Sequence, residues 1–430
     1  FNKIILPPYL PHRDDILRDW SRYYDIMEYT DSLISDILKE LEECGEAENT
    51  IVFYYSDHGG ILPRSKRFLY DTGTHVPMII QFPKKWQHLA QGKAGERLNE
   101  VVSFVDLAPT LLSLAGIEIP DNMQGRPFLG EQREEAEYPY AFLYGQRFDG
   151  TYFRFTRGVT DGQWRYIRNF HNHRPAYMQT GYAYSQSGWK DLLSAWKEGS
   201  LSKLQASYYE APQPVEELYH TSKDPCEVNN RANNPNYKKK LKELRNATLG
   251  IMRTIRDAGI VPETMYEELS ENGTIYKTIQ DERYDYDAAL KIALKASSRN
   301  KKNLRKLKKA LKSSDPVMRH WGIFGCMLLG DKAKSTLPSI KQLIQDREEA
   351  VRLTAARAVA ELGDRNTGIA TIIDLFKNTT RTAIKKRSFQ ILDELNAVPM
   401  DIASLAGKQS GYVDRMINDY RARKGLDRDE

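Results

Sequence analysis

The residues best equipped for chemistry are clustered in one short stretch. The apolar run Thr50-Ile51-Val52-Phe53-Tyr54-Tyr55 ends in Ser56, Asp57 and His58, and Gly59 and Gly60 follow them. A carboxylate just past the carboxyl end of a buried parallel strand is where open α/β sheets place their ligands. Two glycines there let the backbone turn closely around whatever is bound. Taken alone, the tetrapeptide also has a plainer reading: a carboxylate that caps the next segment and a histidine packed beside it. Next come the basic run Arg64-Ser65-Lys66-Arg67 and the segment Tyr70-Asp71-Thr72-Gly73-Thr74-His75-Val76-Pro77. A second group of polar residues, His171, His173 and Arg174, follows an aromatic strand pattern further along.

The elements that must position these residues are legible from periodicity. From residue 15 to 44, Ile16, Trp20, Tyr23, Tyr24, Met27, Leu33, Ile34, Ile37, Leu38 and Leu41 recur at three- and four-residue steps, which predicts a helix stopped by Gly45. The run ending at Tyr55 is rich in β-branched and aromatic residues and predicts a buried parallel strand. Val76–Phe82 and Val101–Val105 read as two more strands, the latter leading through Asp106-Leu107-Ala108-Pro109 into a helix at 110–115. Alternation of this kind predicts an α/β sheet with helices on both faces.

Between about 138 and 235 the pattern becomes short aromatic strands at 140–144, 152–159 and 164–169, with turn signals at Asp149-Gly150 and Asp161-Gly162. This part predicts a small antiparallel sheet followed by a helix at 236–258. From 280 onward Ala, Leu, Lys and Arg dominate. Pro316–Asp331 aligns with Glu349–Asp364 at an offset of 33 residues, and a weaker third copy runs from Ala383 to Leu395. A short period ending in Leu-Gly-Asp is the mark of stacked helix pairs and resembles HEAT repeats. The basic run Lys301–Lys309 reads as a solvated helix face. The expected units are residues 1–135, 136–265 and 280–430.

Length and composition agree with several domains. The 430 residues can bury more than one core, and 40% hydrophobic with 28% charged residues is ordinary for a globular protein. No apolar run reaches the roughly 18 residues that a membrane span requires. A net charge of +5 suits an anionic partner without demanding one and gives no reason to expect nucleic acid. Cys44, Cys226 and Cys326 are too few and too scattered for a disulfide framework or a zinc site. Phe1–Leu10 lacks the features of a signal peptide and reads as mid-domain sequence, so the chain is expected to be part of a longer one.

The order Ser56-Asp57-His58-Gly59, Lys66, Tyr70-Asp71-Thr72-Gly73 and Pro77 resembles the second half of the sulfatase family, within the alkaline-phosphatase superfamily. Lys66 and Tyr70 keep that family's four-residue gap, with Asp71 in place of its usual Glu. Asp106–Leu112 with Ala115-Gly116-Ile117, then Trp164–Phe170, then Glu217-Leu218-Tyr219 with Lys223-Asp224-Pro225 and Glu227–Asn230, are similar to further stretches in the same order. The resemblance covers residues 1 to about 260. It implies an alkaline-phosphatase-like fold, present as its C-terminal half, and a hydrolase of sulfate esters or sulfamates on a sulfated carbohydrate.

By the same resemblance, Asp57 and His58 are expected to be ligands of a divalent metal. Calcium is usual in the family, although His would also suit manganese or zinc. Lys66 is expected to direct its ammonium at a sulfate oxygen; its plainer reading is a solvated surface lysine. Arg64, His75, His173 and Arg174 are expected to be substrate contacts, with a structural or surface reading open beside each. A periplasmic or secreted location is implied by the family alone.

The family's formylglycine arises in a Cys/Ser-x-Pro/Ala-x-Arg motif, and no Cys or Ser here has that context. The nucleophile and the family's adjacent aspartate pair are therefore expected upstream of Phe1. Asp14-Asp15 reads as a helix N-terminus instead, and His12 is not placed for the family's upstream histidine. As it stands, the chain is expected to be inactive. Two other readings remain open: a phosphodiesterase or phosphonate hydrolase of the same superfamily, and a scaffold whose repeats bind a protein partner.

Overall fold

Asp14 and Asp15 place negative charge at the start of helix α1 (Asp14–Glu43), where the helix dipole favours it. Gly45, at φ 77°, follows the last turn. Of the helix's own residues only Ile16 is buried, whereas Ile26, Met27 and Ile37 stay exposed. The start of α1 is held by polar contacts. Arg13 reaches Asp191 at 2.6 Å, and Asp19 accepts the backbone N–H of Gly188 at 2.6 Å. The structure, a computed structural model, describes residues 3–136, 139–148, 152–270, 273–409 and 411–426.

The first strands depart from the expectation. Among the described residues β1 (Val52–Tyr55) pairs only with β2 (Met78–Gln81), and the pairing is antiparallel, with Val52 opposite Gln81. Tyr54 and Tyr55 are exposed rather than buried. An apolar β-rich run has the same composition in either kind of sheet, so neither direction nor depth could be read from it. Val101–Val105 forms no strand. There the Asp106 carboxylate takes the backbone N–H groups of Ser103 at 2.9 Å and Arg126 at 3.0 Å, which fixes a 3₁₀ turn at Phe104–Asp106. Helix α2 (Leu107–Leu114) follows.

The antiparallel sheet has the order β3 (Ala141–Phe148), β4 (Tyr152–Thr160), β5 (Trp164–Asn169) and β6 (Glu216–His220). The β4–β5 hairpin turns at Asp161-Gly162. Asp161 Oδ1 accepts the N–H groups of Gln163 at 3.0 Å and Trp164 at 2.6 Å, and Gly162 takes φ 86°. The Asp149-Gly150 turn lies outside the described residues. Between β5 and β6 the chain forms α3 (Ser187–Lys197), and after β6 comes α4 (Lys238–Thr254). Alternate residues of β5 serve opposite faces. Tyr166 packs toward α4 with Leu241 and Leu244, while Ile167 joins Phe68, Leu69 and Tyr70 on the other side.

The C-terminal helices keep the period seen in the sequence. After α5 (Tyr286–Ser297), three helices begin at intervals of 33 residues: α6 (Pro316–Leu329), α7 (Glu349–Leu362) and α9 (Thr382–Glu394). Helix α8 (Arg365–Asn378) lies between the last two, and α10 (Gly411–Lys424) follows them. Asp315 caps α6 by accepting the Val317 N–H at 2.8 Å, with Pro316 at the first helical position. One apolar core runs from Phe155 and Phe170 of the sheet region through Ile260 and Val261 to Trp321 and the repeats. Trp321 is the joint. Its indole N–H donates to Ile260 O at 2.8 Å, and its ring lies within 6.2 Å of those of Phe155, Phe170 and His171.

Candidate active site

The segment from Asp57 to His75 folds back on itself, and its glycines allow this. Gly59 N–H donates to Gly73 O at 3.2 Å, and Lys66 N–H donates to Gly60 O at 3.0 Å. A Cβ at Gly59 would fall 1.9 Å from Thr72 O, and one at Gly73 would fall 2.4 Å from Ser65 O. The contacts bring the Asp57-His58 corner, Lys66 and the Asp71–His75 turn into one folded unit.

At the corner, the Asp57 side chain is 80% exposed and His58 Nε2 lies 3.2 Å from its Oδ2. His58 Nδ1 is 2.9 Å from Gly59 O. In the tautomer that places the proton on Nδ1, the ring donates to that carbonyl and turns the Nε2 lone pair toward the carboxylate. Two lone-pair donors facing one another suit a shared cation, and a backbone carbonyl on the other ring nitrogen is the usual support of a metal-binding histidine. The donor set therefore fits a divalent metal as part of its coordination sphere. Among the described residues, no group of three or more His, Cys, Asp or Glu gathers into a metal site.

Lys66 is partly exposed, with its ammonium 5.6 Å from the centre of the Tyr182 ring. His75 is exposed and pairs with Asp71 Oδ2 at 3.1 Å, which raises its pKa. The other expected substrate contacts lie elsewhere. Arg64 is only 1% exposed and donates to Cys226 O at 2.6 Å and Glu227 O at 2.9 Å, with its guanidinium 3.8 Å from the Tyr70 ring centre. It anchors the loop from beneath rather than reaching solvent, because the two carbonyls satisfy its charge inside the fold. His173 and Arg174 face the repeats. The His173 ring is 5.1 Å from Phe324, and Arg174 Nε is 2.9 Å from Glu394. Burial, reinforced by Arg174, holds the His173 pKa well below its usual range.

The residues that hold this segment in place were not singled out by sequence reasoning. Arg165 of β5, 1% exposed, donates to Asp71 Oδ1 at 2.6 Å, Leu69 O at 2.9 Å and Thr74 Oγ1 at 2.7 Å, and lies 2.8 Å from Glu227 Oε1. Glu227 Oε2 accepts the Asp71 N–H at 2.7 Å. Burial pushes the Glu227 carboxyl up to about 7 against the pull of Arg165. For Asp71 burial also works upward, but His75 and Arg165 together hold its pKa below the ordinary value. Tyr70 donates its hydroxyl to Glu217 at 2.9 Å. A charged residue amid the aromatic pattern of β5 was the one signal available.

Comparison with known proteins finds similarity over three stretches of the chain. The model of the sulfatase family matches residues 8–117, that of the N-sulphoglucosamine sulphohydrolase C-terminal region matches 63–178, and that of HEAT repeats matches 287–392. An ulvan-active sulfatase of Formosa agariphila is 38% identical over 262 residues, which is 61% of this chain and 43% of that protein. Human N-sulphoglucosamine sulphohydrolase is 26% identical over 260 residues, covering 56% of this chain and 49% of that one. A solved structure in complex with its substrate D-glucosamine-2-N,6-O-disulfate aligns at a TM-score of 0.38 and 24% identity, over 53% of this chain and 39% of the other. The chain spans less than half the length of these relatives. Residues 8–178 are thus similar to the sulfatase family, and residues 287–392 to HEAT repeats.

Proposed function

We propose that this chain supplies the Asp57, His58 and Lys66 part of an active site that hydrolyses sulfate esters or sulfamates on a sulfated glycan. One observation carries the reading. The Asp57–His75 segment holds an outward-facing carboxylate–imidazole pair and a lysine in a single folded unit, pinned from below by Arg165 and Glu227. A divalent metal held by Asp57 and His58, calcium in the first instance, would polarise the sulfate. Lys66 offsets negative charge that develops on a sulfate oxygen. His75, exposed beside Asp71, would meet the substrate as a donor. The formylglycine nucleophile belongs to sequence outside this chain, and the setting is periplasmic or secreted. No described helix is long and apolar enough to cross a membrane.

The test uses the full-length gene product. Sulfate release from sulfated oligosaccharides and from an aryl sulfate is compared with turnover of an aryl phosphodiester, for the wild type and Lys66→Met. Desulfation that falls about 10²–10³-fold in the variant, with folding unchanged, is the expected result for loss of one charge-stabilising group. Preferential cleavage of the phosphodiester would move the assignment to the phosphodiesterase branch.

A further inference from the structure

Where the sheet meets the repeats, positive groups outnumber the carboxylates paired with them among the described residues. A cavity of about 70 Å³ opens between the sheet and helices α6, α7 and α9. Four cations line it, and two of them are neutralised. Arg147 makes a paired contact with Glu263 at 2.7–3.0 Å, and Arg357 binds Glu361 at 2.7 Å and Glu394 at 2.6 Å. The other two, Lys386 and Arg387, make no close ion pair among the described residues. Lys386 lies 5.4 Å from the Tyr412 ring centre and feels Glu263 only at longer range, and Arg387, with Glu394 and Glu361 also at longer range, buries Nη1 without a hydrogen-bond partner. Glu394 is already engaged by Arg174 as well as Arg357. Three guanidiniums thus face two carboxylates.

Two histidines in the cavity wall repeat the pattern. His171 is 8% exposed and His320 is 9% exposed, and each buries a ring nitrogen, Nδ1 and Nε2 respectively, without a partner. His320 Nδ1 is 2.8 Å from Thr354 Oγ1, whose own hydroxyl goes to Ala350 O at 2.9 Å. That fixes the neutral ring with Nδ1 as the donor, so Nε2 accepts an O–H. Buried polar atoms of this kind are ordinarily matched, and leaving a guanidinium N–H inside a fold without an acceptor is costly. Apolar side chains such as Phe153, Phe324 and Leu353 line much of the cavity, so its few polar groups stand out, and its volume suits a small group rather than the ligands that occupy pockets of roughly 300 Å³ and more.

We propose that this cavity is an oxyanion-binding site, in which Arg387 and Lys386 hold the charge and His171, protonated on its unpartnered Nδ1, donates to the ligand, while His320 Nε2 accepts from a water or a protonated ligand oxygen. The ligand is a tetrahedral or carboxylate oxyanion. It is either a free inorganic ion or the sulfate or carboxylate of an acidic sugar entering from the open side. The site is separate from the Asp57–His75 segment and does not depend on the function proposed for it.

The test is calorimetric titration of the full chain at constant ionic strength set with chloride, using inorganic sulfate, inorganic phosphate and a sulfated glucosamine as three probes. All titrations are repeated in Lys66→Met, so that binding at the other site is removed. Saturable one-site binding that persists in Lys66→Met and weakens at least tenfold in Arg387→Gln is the expected result. Saturation by an inorganic ion alone, or more tightly by the sugar, supports the site and names its source. Lys386→Gln should weaken the same probe severalfold and serves if Arg387→Gln fails to fold. Absence of saturable binding by all three probes, or unchanged affinity in the folded variants, would overturn the proposal.

Discussion

Arg165→Met is the most informative perturbation of the candidate site. It leaves the volume of the side chain nearly intact and removes its charge. In the wild type the guanidinium is 1% exposed and sits 2.6 Å from Asp71 Oδ1 and 2.8 Å from Glu227 Oε1. Removing one side of a buried charge cluster costs about 3–5 kcal/mol, because the remaining charges stay buried without compensation. The loss should also depend on pH. Glu227 already titrates at about 7, above its unfolded value, so its contribution is full at low pH and disappears as pH rises through that value. Without Arg165 the carboxyl moves higher still. Between pH 7 and 8 the wild type should level off while the variant continues to lose up to about 1.4 kcal/mol.

Urea unfolding followed by tryptophan fluorescence gives the magnitude, and hydrogen exchange over residues 57–75 shows whether the loss is local. Adding Glu227→Gln to the variant should recover part of the deficit, a coupling of about 1–3 kcal/mol. A deficit below about 1 kcal/mol, or one equal at pH 6 and 8, would refute the reasoning.

Two further substitutions test other parts of the same account. Gly59→Ala places a Cβ 1.9 Å from a backbone oxygen and should cost about 1–3 kcal/mol, whereas Gly250→Ala, in open space on α4, should be neutral or stabilising by up to about 1 kcal/mol. Thermal melts of the two variants should therefore move apart, and equal melts would mean the loop is not folded as described. Trp321→Ala removes the joint between sheet and repeats and should cost about 3–5 kcal/mol, with exchange rising in β4, β5 and α6 together. A rise confined to α6 would show that the two parts do not share one core.

Much of this architecture was legible in the sequence because it rests on local signals. The 33-residue period, the Asp161-Gly162 hairpin and the length of α1 depend on spacing that a chain carries within itself. The fate of β1 did not show, because strand direction is decided by a partner rather than by the run. Arg64 was misplaced for a related reason: its acceptors are main-chain carbonyls at 226 and 227, and carbonyls leave no mark in a sequence. His173 and Arg174 look like surface groups until the repeats are folded against them. Of the candidate site, the Lys66-to-Tyr70 spacing was the visible half. Arg165, Glu217 and Glu227, which hold it, come from strands and turns about 90 to 160 residues away.

The apolar joint at Trp321 also bears on how such a chain can change over evolutionary time. Stacked helical arrays need a terminal unit that closes their last apolar face against water. Here the sheet does that work at one end, through Phe155 and Phe170, so no dedicated closing repeat is required there. The far end is tied back as well, since Glu394 of α9 lies 2.9 Å from Arg174 and Asp419 of α10 accepts the Gly181 N–H at 3.0 Å. A copy gained or lost by duplication would have to keep both attachments, so the number of repeats is constrained from either end.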